Sequence, residues 1–187
     1  FGIGGFLLKN GVDLTELLAG GNGMKSLSED MPRYMPEKME CGSMDTPAIA
    51  GLQASLQWLK TAKPKKIEDE LMEYLIPQLR EIPGLHLYCA PDPSLQAGVI
   101  SLNLDGFRAN EVGAILDKEW DIAVRAGHHC AARIHKHLKN QEFDGTVRVS
   151  ISAFTTKDEL DTLVKGLKSI DRDMLNGISS SVLRGNC

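Results

Sequence analysis

The chain has 187 residues, of which 42% are hydrophobic and 25% are charged, a composition typical of a globular protein with its own core. Its 21 basic and 25 acidic residues give a net charge of −4 without a long block of one sign, so a nucleic-acid partner is not expected. The sequence predicts no membrane span and no signal peptide, and its four cysteines form no CxxC pair, so we expect a cytoplasmic protein with free thiols rather than a disulfide scaffold.

The first 45 residues are irregular. An apolar run over residues 3–8 predicts a strand, and the glycines and prolines that follow it predict a long connecting loop. Thr46 is expected to cap the first helix, with Pro47 at its first helical position. The apolar residues of this helix recur at helical spacing, at Ile49, Leu52, Leu56 and Leu59.

A regular pattern of elements follows from residue 64. A second helix starts near Pro64, and Pro77 should kink or divide it. Strands are expected over residues 85–89 and 99–104, then a helix capped by Asn110, then a strand over residues 121–125.

The last elements have the clearest patterns. Gly145 opens a strand in which Val147 and Val149 face one way and Arg148 faces the other. Thr156 and Glu159 form a capping box at the start of the final helix, and the tail after residue 178 should fray. The order from residue 64 to 170 is helix, strand, strand, helix, strand, helix, strand, helix, which predicts an α/β domain with one sheet covered by helices.

The most unusual window is Arg125-Ala126-Gly127-His128-His129-Cys130. It leaves a predicted strand, turns at a glycine and places Cys130 at the expected start of a helix. A helix N-terminus, an imidazole and a guanidinium each favour thiolate over thiol, so Cys130 is the cysteine with a reason to be nucleophilic. A small buried hydrophobe near a strand end explains the same cysteine equally well.

The same window also contains potential metal ligands. The spacing does not favour a metal site, because residues 135 and 137 point about 200° apart on a helix and no Hx3–5H or HExxH pattern is present. The residues in question are His128, His129, Cys130, His135 and His137.

Two further windows could bind anions. Arg148 shares its strand face with Ser150, which suits bidentate capture of a carboxylate, although a solvated edge arginine would have the same pattern. Gly42 and Ser43 precede a helix N-terminus and could cradle a phosphate, although ordinary helix capping uses the same residue types.

Together these windows resemble the class V aminotransferase family of pyridoxal-phosphate enzymes, in its cysteine desulfurase and selenocysteine lyase branch. The resemblance runs from residue 1 to about residue 170 and includes a Gly-Ile-Gly start and a Gly20-Gly21 turn. Its specific motifs are R-x-G-H-H-C-A at residues 125–131 and G-T-V-R-V-S at residues 145–150.

The resemblance implies a role for each matching residue. Cys130 matches the catalytic cysteine that takes the substrate sulfur as a persulfide, with His129 beside it as a candidate proton carrier. Arg148 matches the arginine that holds the substrate carboxylate, and Arg125 matches a second arginine near the substrate. Gly42 and Ser43 match a Gly-Thr pair that contacts the cofactor phosphate of the partner subunit in a homodimer.

The implied architecture is the small C-terminal domain of a fold-type I pyridoxal-phosphate transferase, with part of the large cofactor domain. Residues 1–62 would belong to the large domain, 63–178 to the small domain and 179–187 to a tail. The family's cofactor-anchoring lysine lies shortly before its Gly-Ile-Gly run, so we expect this chain to lack it and to be inactive alone.

Three functions therefore remain to be separated. The first is the C-terminal part of a desulfurase that converts L-cysteine to L-alanine and passes sulfur to an acceptor protein. The second is a selenocysteine lyase or an aminotransferase-like relative. The third is a sulfur-carrying or interaction module without cofactor chemistry.

Overall fold

Lys63, which adopts a left-handed backbone conformation with φ of 47°, follows one helix and precedes another. The chain divides between Ala62 and Lys63 into two units. The structure is a computed structural model that describes residues 2–24 and 27–178; the tail over residues 179–187 lies outside them.

The first unit contains a single α-helix among its described residues, α1 (Thr46–Ala62). Its cap is Asp45 rather than the predicted Thr46, because the Asp45 carboxylate accepts a hydrogen bond from the Ala48 amide at 3.0 Å. The apolar stripe of the helix is present but not buried, since Leu56 is 50% exposed.

The predicted strand over residues 3–8 does not form. A strand requires a partner backbone for its hydrogen bonds, and residues 2–10 make no ladder with any described residue. The apolar side chains of this run also lack a core, since Phe6 is 58% exposed and Leu7 is fully exposed.

The second unit has the predicted order of helices and strands. Its elements are α2 (Pro64–Arg80), β1 (Leu85–Tyr88), β2 (Val99–Leu104), α3 (Ala109–Trp120), β3 (Arg125–Gly127), α4 (Ala132–Leu138), β4 (Thr146–Ser150) and α5 (Lys157–Ser169).

The four strands form one antiparallel sheet in the order β1-β2-β4-β3. Leu102 of β2 pairs with Val147 of β4, and both are fully buried on the face that packs against the helices. Arg148 and Ser150 lie on the opposite face and are exposed, as the alternation in β4 predicts. The core side chains of α2, α3 and α5 complete this hydrophobic layer.

Three local predictions need correction. The strand expected over residues 121–125 is instead β3, because Asp121 takes a left-handed conformation at the end of α3 and pairing with β4 begins only at Arg125. Asn110 does not cap α3; the Glu111 carboxylate accepts the Arg108 amide at 2.8 Å instead. Pro77 does not divide α2, since it is exposed in the last turn of a continuous helix.

No helix in the described part of the chain is both long and apolar enough to cross a membrane.

Candidate active site

The connection between β3 and α4 carries the predicted nucleophile in a strained turn. Gly127 has φ of 106°. Further along the turn, His129 and Cys130 have φ of 53° and 56°. Left-handed backbone costs a residue with a side chain roughly 1–2 kcal/mol, so two such residues in succession need contacts that hold them.

His129 supplies one such contact. Its Nε2 lies 3.0 Å from both the carbonyl oxygen and the Oγ1 of Thr146 on β4. A carbonyl can only accept a hydrogen bond, so Nε2 carries the proton and Nδ1 has the free lone pair. Nδ1 is buried and has no partner among the described residues.

The environment of His129 favours its neutral form. Burial lowers the pKa of its imidazole, and the positive charges of Arg148, His135 and Arg125 act in the same direction, against the hydrogen bond to Thr146. The neutral imidazole of His129 therefore attaches the turn that contains Cys130 to β4 through its hydrogen bond to Thr146.

The two candidate arginines lie side by side. Arg125 of β3 pairs directly with Arg148 of β4, so both side chains are on the same sheet face, and both are exposed. Within residues 2–24 and 27–178, neither guanidinium has a hydrogen bond or an ion pair. Two unpaired guanidiniums on neighbouring strands have the chemistry to bind an anion such as a carboxylate.

Cys130 is exposed, and its thiol is free. It does not open a helix as expected, because α4 begins two residues later, at Ala132. Thr146, which holds His129, is two residues from Arg148 on the same face of β4. The bond from His129 to Thr146 therefore attaches the turn that contains Cys130 to the strand that carries Arg148. We refer to Cys130, His129, Arg125 and Arg148 as the connected group.

Two buried polar residues of the second unit carry no signal in the sequence for the contacts they make. His135 of α4 is 3% exposed and contacts the carbonyl of His128, whereas the sequence suggested it only as a metal ligand. Asn103 of β2 is 1% exposed and donates to the carbonyl of Gly145 at 2.9 Å. A polar residue in an alternating strand gives no indication that it is buried, so only the fold reveals these contacts.

The described residues contain no group of three or more histidine, cysteine, aspartate or glutamate side chains arranged to hold a metal ion.

Gly42 and Ser43 lie in the first unit, just before α1. The Gly42 amide donates to the carbonyl of Gly21 at 2.7 Å, and Gly42 has φ of 85°, so it shapes the turn rather than offering a donor. Ser43 is exposed, and neither its amide nor its hydroxyl has a partner among the described residues. Asp45 already caps α1 with a negative charge. The free amide and hydroxyl of Ser43 are therefore suited to bind a phosphate group. The N-terminus of α1 is not, because the Asp45 carboxylate already occupies it.

Comparison with known proteins supports one family. The sequence matches the family described as aminotransferase class-V over residues 1–163. It is 37% identical over 140 residues to a cysteine desulfurase of Pectobacterium carotovorum, covering 73% of this chain and 33% of that protein. It is 32% identical over 163 residues to a probable cysteine desulfurase of Methanothermobacter thermautotrophicus, covering 84% of this chain and 40% of that protein.

A solved structure agrees with the sequence matches. The apo cysteine desulfurase of Thermococcus onnurineus superposes with a TM-score of 0.68 at 28% identity, covering 81% of this chain and 38% of that one. The α/β fold is therefore that of part of a fold-type I pyridoxal-phosphate enzyme, and the chain spans between a third and two fifths of the relatives it matches. With more than four fifths of its length matched, the chain belongs to the aminotransferase class-V family.

Proposed function

We propose that this chain provides the sulfur-accepting cysteine and the carboxylate-binding arginines of a pyridoxal-phosphate-dependent cysteine desulfurase. The observation that carries the proposal is the connected group in the second unit. Exposed Cys130 follows His129, whose ring is bound to β4, and β4 carries Arg148 beside Arg125. Two relatives, one named a cysteine desulfurase and the other a probable cysteine desulfurase, support the same reaction.

The proposed reaction balances without an external oxidant or reductant. L-Cysteine and the Cys130 thiol give L-alanine and a Cys130 persulfide. A sulfur–sulfur bond forms as the substrate's Cβ–S bond breaks, and the electron pair of that bond stays on carbon, which then takes a proton. The substrate Cβ is reduced by two electrons, and the Cys130 sulfur and the substrate sulfur are each oxidised by one.

Pyridoxal phosphate, the cofactor of the family, supplies the electron sink that stabilises negative charge on the substrate carbon. Ser43 would hold its phosphate through amide and hydroxyl donors, in a homodimer where the cofactor belongs to the partner subunit. The resemblance assigns no lysine of these 187 residues to the cofactor anchor.

The remaining roles belong to side chains of the second unit. Arg148 binds the substrate carboxylate, and Arg125 adds a second positive charge that favours anionic substrates. The neutral His129 holds the cysteine turn against β4, so that the thiol and the carboxylate site stay in register. Cys130 then delivers its persulfide sulfur to a second molecule, an acceptor protein in the cytoplasm.

The test compares variants of the full-length gene product loaded with pyridoxal phosphate. Cys130→Ala is expected to abolish alanine formation from cysteine while cofactor absorbance is unchanged. Arg148→Lys should raise KM for cysteine, because the lysine ammonium loses bidentate contact. Alanine formation by Cys130→Ala at the wild-type rate would contradict the proposal.

Comparing L-cysteine with selenocysteine as substrate distinguishes a cysteine desulfurase from a selenocysteine lyase. A desulfurase loses activity toward cysteine when Cys130 is removed, whereas a lyase specific for selenocysteine shows little activity toward cysteine even with Cys130 present. Persulfide transfer in the absence of cofactor would instead favour a sulfur-carrying module.

A further inference from the structure

We infer that His135 is a positioning residue for the Cys130 turn and acts through the backbone carbonyl of His128. This inference rests on the proposed function, because it assigns His135 a part in the reaction of Cys130.

The burial of His135 is unusual for its helix. His135 is 3% exposed and is the only buried residue of α4. The residues before and after it in the helix, Ile134 and Lys136, are exposed. An amphipathic helix normally anchors itself with several apolar side chains. In this helix the one fully buried side chain is an imidazole, and Leu138 is only half-buried.

The imidazole is bound to the residue that begins the strained turn. His135 Nε2 lies 3.2 Å from the carbonyl oxygen of His128, so Nε2 must carry the proton that it donates. The same carbonyl accepts the Ala131 amide at 2.9 Å. The rings of His135 and His128 also meet edge to face, with centroids 5.1 Å apart.

These contacts fix the peptide group that precedes the two left-handed residues. The carbonyl of His128 is held by His135 from α4, and the ring of His129 is held by Thr146 from β4. The turn is therefore clamped from two elements, and the exposed Cys130 side chain is the part left free to react. Without the His135 donor, the turn keeps the β4 clamp but loses the one from α4.

A purely space-filling role for His135 makes a different prediction. If only volume matters, an apolar side chain of similar length serves as well as the histidine. If the donor matters, glutamine serves better than methionine, because the Nε2 amide of glutamine overlays Nε2 of histidine. The matched control is His137, which is exposed on the same helix.

The experiment measures three quantities in the full-length gene product for His135→Met, His135→Gln and His137→Met. They are the single-turnover rate of persulfide formation with L-cysteine, KM for L-cysteine, and hydrogen exchange at the Ala131 amide. Thermal unfolding of each variant reports whether it is folded.

His135→Met is expected to form persulfide about tenfold more slowly, the ratio that loss of a hydrogen bond worth about 1.4 kcal/mol would give. KM should stay within about twofold, since the arginines are untouched, and the Ala131 amide should exchange faster. His135→Gln should recover most of the rate, and His137→Met should match wild type.

A wild-type rate in His135→Met, or a rate in His135→Gln as low as in His135→Met, would overturn the inference. If His135→Met does not fold, His135→Asn takes its place, because the asparagine amide overlays Nδ1 of histidine rather than Nε2. Equal rates of persulfide formation in His135→Asn and His135→Gln would then overturn the inference. If wild type forms no persulfide, the proposed function fails, and Ala131 exchange in the same variants still decides whether His135 holds the turn.

Discussion

At the scale of single residues, the site depends on an imidazole kept neutral next to two guanidiniums. Burial and the charges of Arg148, His135 and Arg125 lower the pKa of His129, and the contact with the Thr146 carbonyl places its proton on Nε2. The sequence indicated His129 as a potential metal ligand and, through the family resemblance, as a candidate proton carrier beside Cys130. Its attachment to β4 depends on strand register, which the local pattern does not contain.

The lowered pKa of His129 predicts a pH-dependent stability. The unfolded imidazole titrates near 6.5 and binds a proton more readily than the folded one, so the free energy of unfolding should fall as pH drops through 6.5 toward the folded pKa. Urea unfolding at about pH 7.5 and about pH 5.5 measures this loss. His129→Gln keeps a donor for Thr146 but cannot titrate, so it should lose less stability than wild type between these conditions. Equal losses in the two proteins would contradict the assignment.

Ser43 provides a second prediction at this scale. Ser43→Ala removes the free hydroxyl and should weaken pyridoxal phosphate binding by the full-length gene product roughly tenfold, as expected for one hydrogen bond to a charged group. Fluorescence titration of the apoprotein with cofactor measures the affinity. Ser55→Ala is the control, because the Ser55 hydroxyl bonds to the carbonyl of Gly51 within α1. An unchanged affinity in Ser43→Ala would remove Ser43 from the cofactor site.

At the scale of elements, local signals predicted the start of α5 and the alternation of β4, whereas the caps predicted at Thr46 and Asn110 were wrong. The capping box of α5 forms as expected, with the Thr156 amide donating to Glu159 at 2.7 Å. The alternation of β4 also holds. β3 was misplaced because a three-residue strand is defined by its partner, and the pairing of Arg125 with Arg148 is a tertiary contact.

The close approach of two glycines next to the site predicts a large effect of substitution. A Cβ at Gly145 would lie 2.4 Å from the carbonyl of Gly127, where β3 meets β4, so Gly145→Ala should destabilise the protein by about 3 kcal/mol or more. Gly106→Ala is the matched control, since Gly106 also has positive φ but open space around it, and should lose about 1–2 kcal/mol. Urea unfolding distinguishes the two, and equal losses would show that the steric contact is unimportant.

At the scale of the whole molecule, the sequence predicted the order of elements in the second unit and the family, but not the exposure of α1 in the first unit. α1 has the apolar spacing of a packed helix, yet its stripe is exposed. Spacing records which face of a helix is apolar and does not record what covers that face.

The resemblance assigns no lysine of the chain to the cofactor anchor. We therefore predict that the 187-residue chain has no desulfurase activity by itself. Mixed with pyridoxal phosphate, it should show no visible absorbance of lysine-bound cofactor and should release no sulfide from L-cysteine. The cysteine desulfurase of Pectobacterium carotovorum, assayed under the same conditions, is the positive control. Turnover by the chain alone would mean that one of its own lysines anchors the cofactor.

The most direct test of the proposed function follows sulfur to Cys130. The full-length gene product, loaded with pyridoxal phosphate, is mixed with L-cysteine that carries a sulfur isotope, alkylated and analysed by peptide mass spectrometry. We predict one labelled sulfur on the peptide that contains Cys130, one alanine released per sulfur bound, and no label on peptides containing Cys41 or Cys89. Alanine formation with the label on another cysteine, or with none bound, would contradict the assignment of Cys130 as the sulfur acceptor.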